Sequence, residues 1–127
     1  MRFRSEQHVR RQRDFRNLRE KGRRHECGGF AFWHFKRAGE DGIASDVPPE
    51  TVRLAVVASY ASVGNAVKRA RAKRRLREIF RRNQQLVPAG HDVMLVAKRS
   101  LNDTESSVIE QKFSDACRRI FQKQKTT

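Results

Sequence analysis

Gly64-Asn65-Ala66-Val67-Lys68-Arg69-Ala70-Arg71-Ala72-Lys73-Arg74-Arg75-Leu76-Arg77-Glu78-Ile79-Phe80-Arg81-Arg82 carries two patterns at once. Between Lys68 and Arg82 stand nine Lys or Arg residues against one acid, Glu78. At the helical rotation of about 100° per residue, Ala72, Leu76, Ile79 and Phe80 fall on one face, spaced as a helix spaces its buried side. Arg71, Arg74, Arg75, Arg77, Arg81 and Arg82 take the rest of the circumference. A merely solvated basic face usually carries interspersed acids that cancel its charge, and here almost nothing cancels it. The segment reads as a helix docked on a core by one side and offering donors to a polyanion on the other. Asn65 is a good N-cap, and Pro88-Ala89-Gly90 stops the helix, which should run to about Gln85.

Strands flank this helix. Val52 to Ser59 alternates Leu54, Val56 and Ala58 with Arg53, Ala55, Val57 and Ser59, and His91 to Lys98 has an apolar centre at residues 93–97. Strand, helix of about five turns, strand is a crossover whose strands can lie parallel. Earlier, Phe30-Ala31-Phe32-Trp33-His34-Phe35-Lys36 is a strand with large aromatics on both faces. Phe30, Phe32 and His34 point one way, Ala31, Trp33 and Phe35 the other. Both faces should be covered, either by protein alone or by protein on one side and a partner on the other.

A short helix is expected from Gln12, with Phe15 and Leu18 on one face and Gly22 ending it in a left-handed conformation. Phe15 suits either a core anchor or a ring that stacks on a base. Ser107-Val108-Ile109-Glu110 fits a capping box ahead of an amphipathic last helix through Ile109, Phe113, Ala116, Cys117 and Ile120. Residues 37–51, with Gly39, Gly42, Pro48 and Pro49 among four acids, form an exposed loop. Residues 1–10 and 123–127 are expected to be flexible. The order is helix, two strands, helix, strand, helix: a single α+β domain with helices packed on a small sheet.

At 127 residues and a formal net charge of +15, the chain suits one domain with a polyanionic partner, nucleic acid or an anionic membrane surface. No run approaches the ~20 apolar residues of a membrane span, and no signal-peptide core follows Met1. The protein is expected in the compartment where it is made, the cytoplasm. Cys27 and Cys117 lie far apart, and no Cys-x-x-Cys occurs. Cys117 sits in a helical apolar pattern and reads as a small core side chain. His25 and Cys27 lack the further ligands of a tetrahedral site, and His8, His25, His34 and His91 show no ligand spacing. Gly28-Gly29 lacks the lysine and threonine of a phosphate loop. No acid cluster suggests a metal-dependent nuclease. The chain should bind and position, leaving bond-breaking to another molecule.

A helix-turn-helix needs a second helix at a tight turn, whereas strands flank this one, so DNA is not the expected partner. RNA suits better: arginine forks bind phosphates, and sheet aromatics can stack unpaired bases. Here the residues acquire a family. Gly64-Asn65-Ala66-Val67, then Arg69, Arg71, Lys73, Arg74, Arg77 and Phe80, resemble the signature helix of the bacterial ribonuclease P protein subunit. Arg13-Asp14-Phe15 with Gly22 resembles that family's first helix. The strands follow in the same order, and the resemblance covers roughly residues 10–122.

The resemblance implies a ribosomal protein S5 domain 2-like α/β sandwich, α-β-β-(β)-α-β-α, with a left-handed β-α-β crossover. It implies a subunit that joins a catalytic RNA to remove the 5′ leader of precursor tRNA. Magnesium would be held by the RNA, with no cofactor on the protein. Asn65, Arg69, Arg71, Lys73, Arg74 and Arg77 would contact the catalytic RNA. Phe15, Arg19, Ala31 and Trp33 would line a leader cleft between the first helix and the sheet. Two positions depart from the family pattern. Ala70 stands where Asn is usual between the first two arginines, and Arg19 stands where an aromatic often lines the cleft. Arg19 could substitute a phosphate or cation–π contact. Composition alone also admits a non-enzymatic RNA-binding protein of ribosomal or chaperone type.

Overall fold

The computed structural model describes residues 9, 12–37 and 51–121. Most of the expected flexible tails and of the 37–51 loop lies outside them. The elements are α1 (Gln12–Glu20), β1 (Arg23–Glu26), β2 (Phe30–Lys36), β3 (Arg53–Val57), α2 (Tyr60–Val63), α3 (Ala66–Asn83), β4 (His91–Ala97) and α4 (Ser106–Phe121). Short 3-10 turns occupy Gln84–Leu86 and Arg99–Asp103. The strands order as β1-β2-β4-β3, with β1–β2 and β2–β4 antiparallel and β3–β4 parallel. The basic helix α3 is thus the crossover between two neighbouring parallel strands, the arrangement its flanking strands suggested.

Alternation along the strands sorts side chains between two faces. On one, Phe30, Phe32, Leu54, Val93 and Leu95 meet Leu76, Ile79 and Phe80 of α3 and Ile109, Phe113 and Cys117 of α4. Phe113 lies 5.5 Å from Phe32 and 6.1 Å from Phe80, centroid to centroid, tying both helices to the sheet. The other face carries α1, packed on β2 and β4, as its one helix among the described residues.

Several expectations need correction. β1 was not located from the sequence: Arg23-Arg24-His25-Glu26 has no apolar alternation, and its β structure comes from pairing with β2. Gly28 and Gly29, at φ 72° and 89°, make the turn between them, and the Cys27 N–H donates to the Phe30 carbonyl. The Gly-Gly pair is therefore a hairpin turn. Gly22 is not left-handed. Glycine is required there because an added Cβ would lie 2.3 Å from the Leu18 oxygen and 2.7 Å from that of His34. The expected capping box is also displaced. α4 begins at Ser106, which puts Ser107 inside the first turn. The preceding chain is held instead by Arg75, whose guanidinium donates to the carbonyls of Leu101 and Thr104. Finally, β3 ends at Val57, and Ser59 caps α2 by accepting from the Ser62 N–H.

Candidate nucleic-acid interface

α3 starts where the sequence placed it. Asn65 is in extended backbone, and its side-chain oxygen accepts from the Lys68 N–H at 3.0 Å. That oxygen satisfies an otherwise free first-turn amide, so Asn65 sets the helix start. Beyond Lys68, the structure divides the other eight cations. Arg75 clamps the chain ahead of α4, and burial, followed by the charge of Arg71, lowers its pKa. Arg81 pairs with Glu78, and Arg82 reaches Glu110 at 3.1 Å. Arg69, Arg71, Lys73, Arg74 and Arg77 make no side-chain hydrogen bond or ion pair among the described residues. Arg71, Arg74 and Arg77 are exposed, while Arg69 and Lys73 are half-buried. The Nε of Arg69 is buried without a partner. Ala70 is exposed.

The opposite face of the sheet is only partly closed. Val9, Leu18, Ala55 and Met94 are buried beneath it, and Phe15, Trp33, Phe35, Val57 and Val96 are half-buried around them. Cross-strand register places Arg24, Trp33, Met94 and Ala55 in one row, with Arg24 exposed at the outer edge. Trp33 and Phe15 thus pack, half-buried, against one apolar cluster between α1 and the sheet. Arg19 is exposed on α1. Ala31 is only 1% exposed, so it shapes the floor and offers no surface. Val9, inside the stretch expected to be flexible, is 7% exposed, and its N–H donates to the Leu54 carbonyl at 3.0 Å.

What holds α1 in place was missed by the sequence reading. Arg53, at the head of β3, is 5% exposed, and Asp92 of β4 is 1% exposed. The guanidinium binds Asp92 through two bonds of 2.8 and 2.7 Å and reaches across to Asp14 of α1 at 3.1 Å. Arg37 joins from the other side, donating to Asp92, to the His91 carbonyl and to that of Thr51. Burial alone would lower the pKa of Arg53, but hydrogen bonds to Asp92 and Asp14, with their charges, outweigh it and raise it. A charge inside an apolar strand was the available signal, since such a charge must find a partner.

Three histidines with no regular spacing in sequence gather where β1, β2 and β4 meet the end of α4. The His25 and His34 rings stack at 5.1 Å with their Nε2 atoms 3.1 Å apart, and His91 lies 6.3 Å from His34. Phe121 covers His34 and His91 edge-on. Burial, then the charges of His25, His91 and Arg23, pushes His34 down to about 4. Among the described residues, no group of three or more His, Cys, Asp or Glu side chains is placed to hold a metal ion. Cys27 is pushed up to about 11, chiefly by burial, and is a poor thiolate.

The family model for ribonuclease P matches residues 3–121, nearly the whole chain. The chain belongs to the ribonuclease P protein family. Among curated relatives, the ribonuclease P protein component of Pseudomonas putida KT2440 is 39% identical over 74 residues, 58% of this chain and 55% of that relative. The chain thus spans about half the length of the curated relatives it matches. The solved ribonuclease P protein of Thermotoga maritima superposes with a TM-score of 0.70 at 25% identity, covering 89% of this chain and 96% of that one. The Staphylococcus aureus protein shares the fold, with a TM-score of 0.67 at 22% identity over 86% and 90% of the two chains. In this ribonuclease P family member, the α3 cations without a partner among the described residues and the half-buried aromatics beside α1 lie on opposite sides of the sheet. Among its described residues, no helix is long and apolar enough to cross a membrane.

Proposed function

We propose that this chain is the protein subunit of a ribonuclease P. It holds a catalytic RNA with the outer side of α3 and the 5′ leader of precursor tRNA in the groove between α1 and the sheet. In that role it promotes endonucleolytic removal of the leader in the cytoplasm. The observation that carries this reading is the separation of the two surfaces, because two RNA segments can then be held together without competing. Arg69, Arg71, Lys73, Arg74 and Arg77 supply phosphate contacts through donors that the fold does not use. Phe15 and Trp33 supply planes for unpaired bases, each stack worth roughly 1–3 kcal/mol. Arg19, exposed on α1, attracts the leader backbone. Magnesium held by the RNA supplies the hydrolytic chemistry. This chain contributes by positioning the leader and by lowering the repulsion between two polyanions.

Reconstitution with the catalytic RNA at low magnesium tests the reading. The protein should accelerate leader removal, and affinity should fall by orders of magnitude between low and moderate salt if ~6 phosphates are engaged. An unchanged cleavage rate would refute it. Equal binding of precursor and mature tRNA by the holoenzyme would favour the rival, a basic RNA-binding protein with no leader site. Arg71→Ala should weaken assembly with the catalytic RNA and flatten its salt dependence.

A further inference from the structure

Of the large apolar side chains among the described residues, three stand exposed, and two of them are neighbours. Tyr60 is 72% exposed and Val67 78% exposed, at either end of the α2–α3 junction. They border a cavity of about 470 Å³ whose other walls include Lys68, Arg71, Arg99 and Asp103. That volume lies within the roughly 300–1,000 Å³ of ordinary small-ligand pockets.

The backbone around it is firmly held. Ser59 caps α2, and the Gly64 N–H donates to the Tyr60 carbonyl at 3.0 Å. Gly64 itself has a φ of 120°, which favours glycine. Across the cavity, the Asn102 side chain donates to the Lys68 carbonyl at 3.0 Å, fastening the Arg99–Asp103 turn to α3. Among the described residues, none packs over Tyr60 to explain a tyrosine at an exposed site.

We propose that this cavity is a subsite for one unpaired nucleotide of the catalytic RNA, its base lying on Tyr60 beside Val67 and its phosphate held by Lys68, Arg71 and Arg99. The assignment rests on the function proposed above and extends it to residues outside the signature positions. Three cations around one acid suit a phosphate. A ring and an aliphatic side chain suit the flat face of a base, and stacking tolerates any base identity. Asp103 would repel a bare phosphate but accept from a ribose 2′-hydroxyl or an exocyclic amine, so a ribonucleotide satisfies the wall better than an inorganic anion. A paired base inside a helix could not reach Tyr60, which is why the nucleotide must be unpaired.

The test measures binding of the catalytic RNA to the full chain across a salt series, for wild type, Tyr60→Ala, Tyr60→Phe and Arg99→Ala. Crosslinking at Tyr60 by ultraviolet light, read by mass spectrometry, accompanies it. Tyr60→Ala should weaken binding roughly 5- to 140-fold, the equivalent of about 1–3 kcal/mol for one base stack, with the salt slope unchanged. Tyr60→Phe should bind like wild type, and Arg99→Ala should make the salt slope shallower by about 1. The crosslink should fall on an unpaired nucleotide. Wild-type affinity in Tyr60→Ala, an equal loss in Tyr60→Phe, or a crosslink to protein in place of RNA would overturn the subsite while leaving the proposed function standing. A wild-type chain that does not bind the catalytic RNA would overturn the functional reading, and this subsite with it.

Discussion

The two faces of the sheet are built on opposite terms. The face under α3 and α4 is sealed by Phe30, Phe32, Phe80 and Phe113, all essentially inaccessible, with the histidine trio as a polar corner at the end of α4. The face under α1 is smaller, and its one short helix is tied down by Asp14 to a buried Arg53–Asp92 pair. Hydrophobic burial is non-directional and grows with area, so it closes a surface completely. An ion pair fixes one geometry without covering area, so the single bond from the strand-anchored Arg53 to Asp14 can hold a helix over part of a surface and leave the rest accessible. The half-buried aromatics of the α1 face are what such a tether leaves open.

Breaking the sealed face should have the largest effect. Phe80→Ala should cost about 4 kcal/mol, measured as a loss of stability in urea denaturation, because it leaves a cavity between α3, α4 and the sheet. A loss below about 1 kcal/mol would mean that the helices repack and that the seal is not specific. Next comes the tether. Asp92→Asn leaves Arg53 and Arg37 without their shared anion and should cost about 3 kcal/mol. A neutral outcome would show that Asp14 alone suffices to hold the arginine.

Acid probes the polar corner of the sealed face. His34 titrates at about 4 in the fold, below the ordinary value near 6.5 of an unfolded chain. The unfolded state therefore takes up the proton first. Stability contributed by the neutral ring is complete above about pH 6.5 and is lost as pH falls toward 4, by up to roughly 3 kcal/mol. His34→Gln should flatten that part of the stability–pH curve, and an unchanged slope would remove His34 from the account. The open face should give the smallest change, one confined to function. Trp33→Ala should weaken precursor tRNA binding by the holoenzyme by about 1.5 kcal/mol while sparing mature tRNA. Equal losses on both substrates would mark the ring as part of the core.

The sequence alone determined the features carried by local spacing. The basic helix from its Asn65 cap, the aromatic strand, the strand–helix–strand order and the apolar stripe of α4 all follow from periods of 3.6 or 2 and from capping chemistry. So did the division of the aromatic strand between its two faces, because alternation is a property of the backbone. The features that depend on residues distant in the chain were decided only by the tertiary structure. The parallel pairing of β3 with β4 is one of them. β1 has no pattern of its own and becomes a strand by pairing with β2. Gly22 is required by the Leu18 carbonyl one helical turn back and also by a carbonyl twelve residues away, on His34. The nine cations of the signature stretch look alike in sequence, since each is a long charged side chain on the same helix. The fold separates them by what lies within reach: carbonyls ahead of α4 for Arg75, carboxylates for Arg81 and Arg82, and no partner among the described residues for the five assigned to RNA. Helical spacing sets the direction in which a side chain leaves the axis, but its partner depends on which other segment the fold brings there.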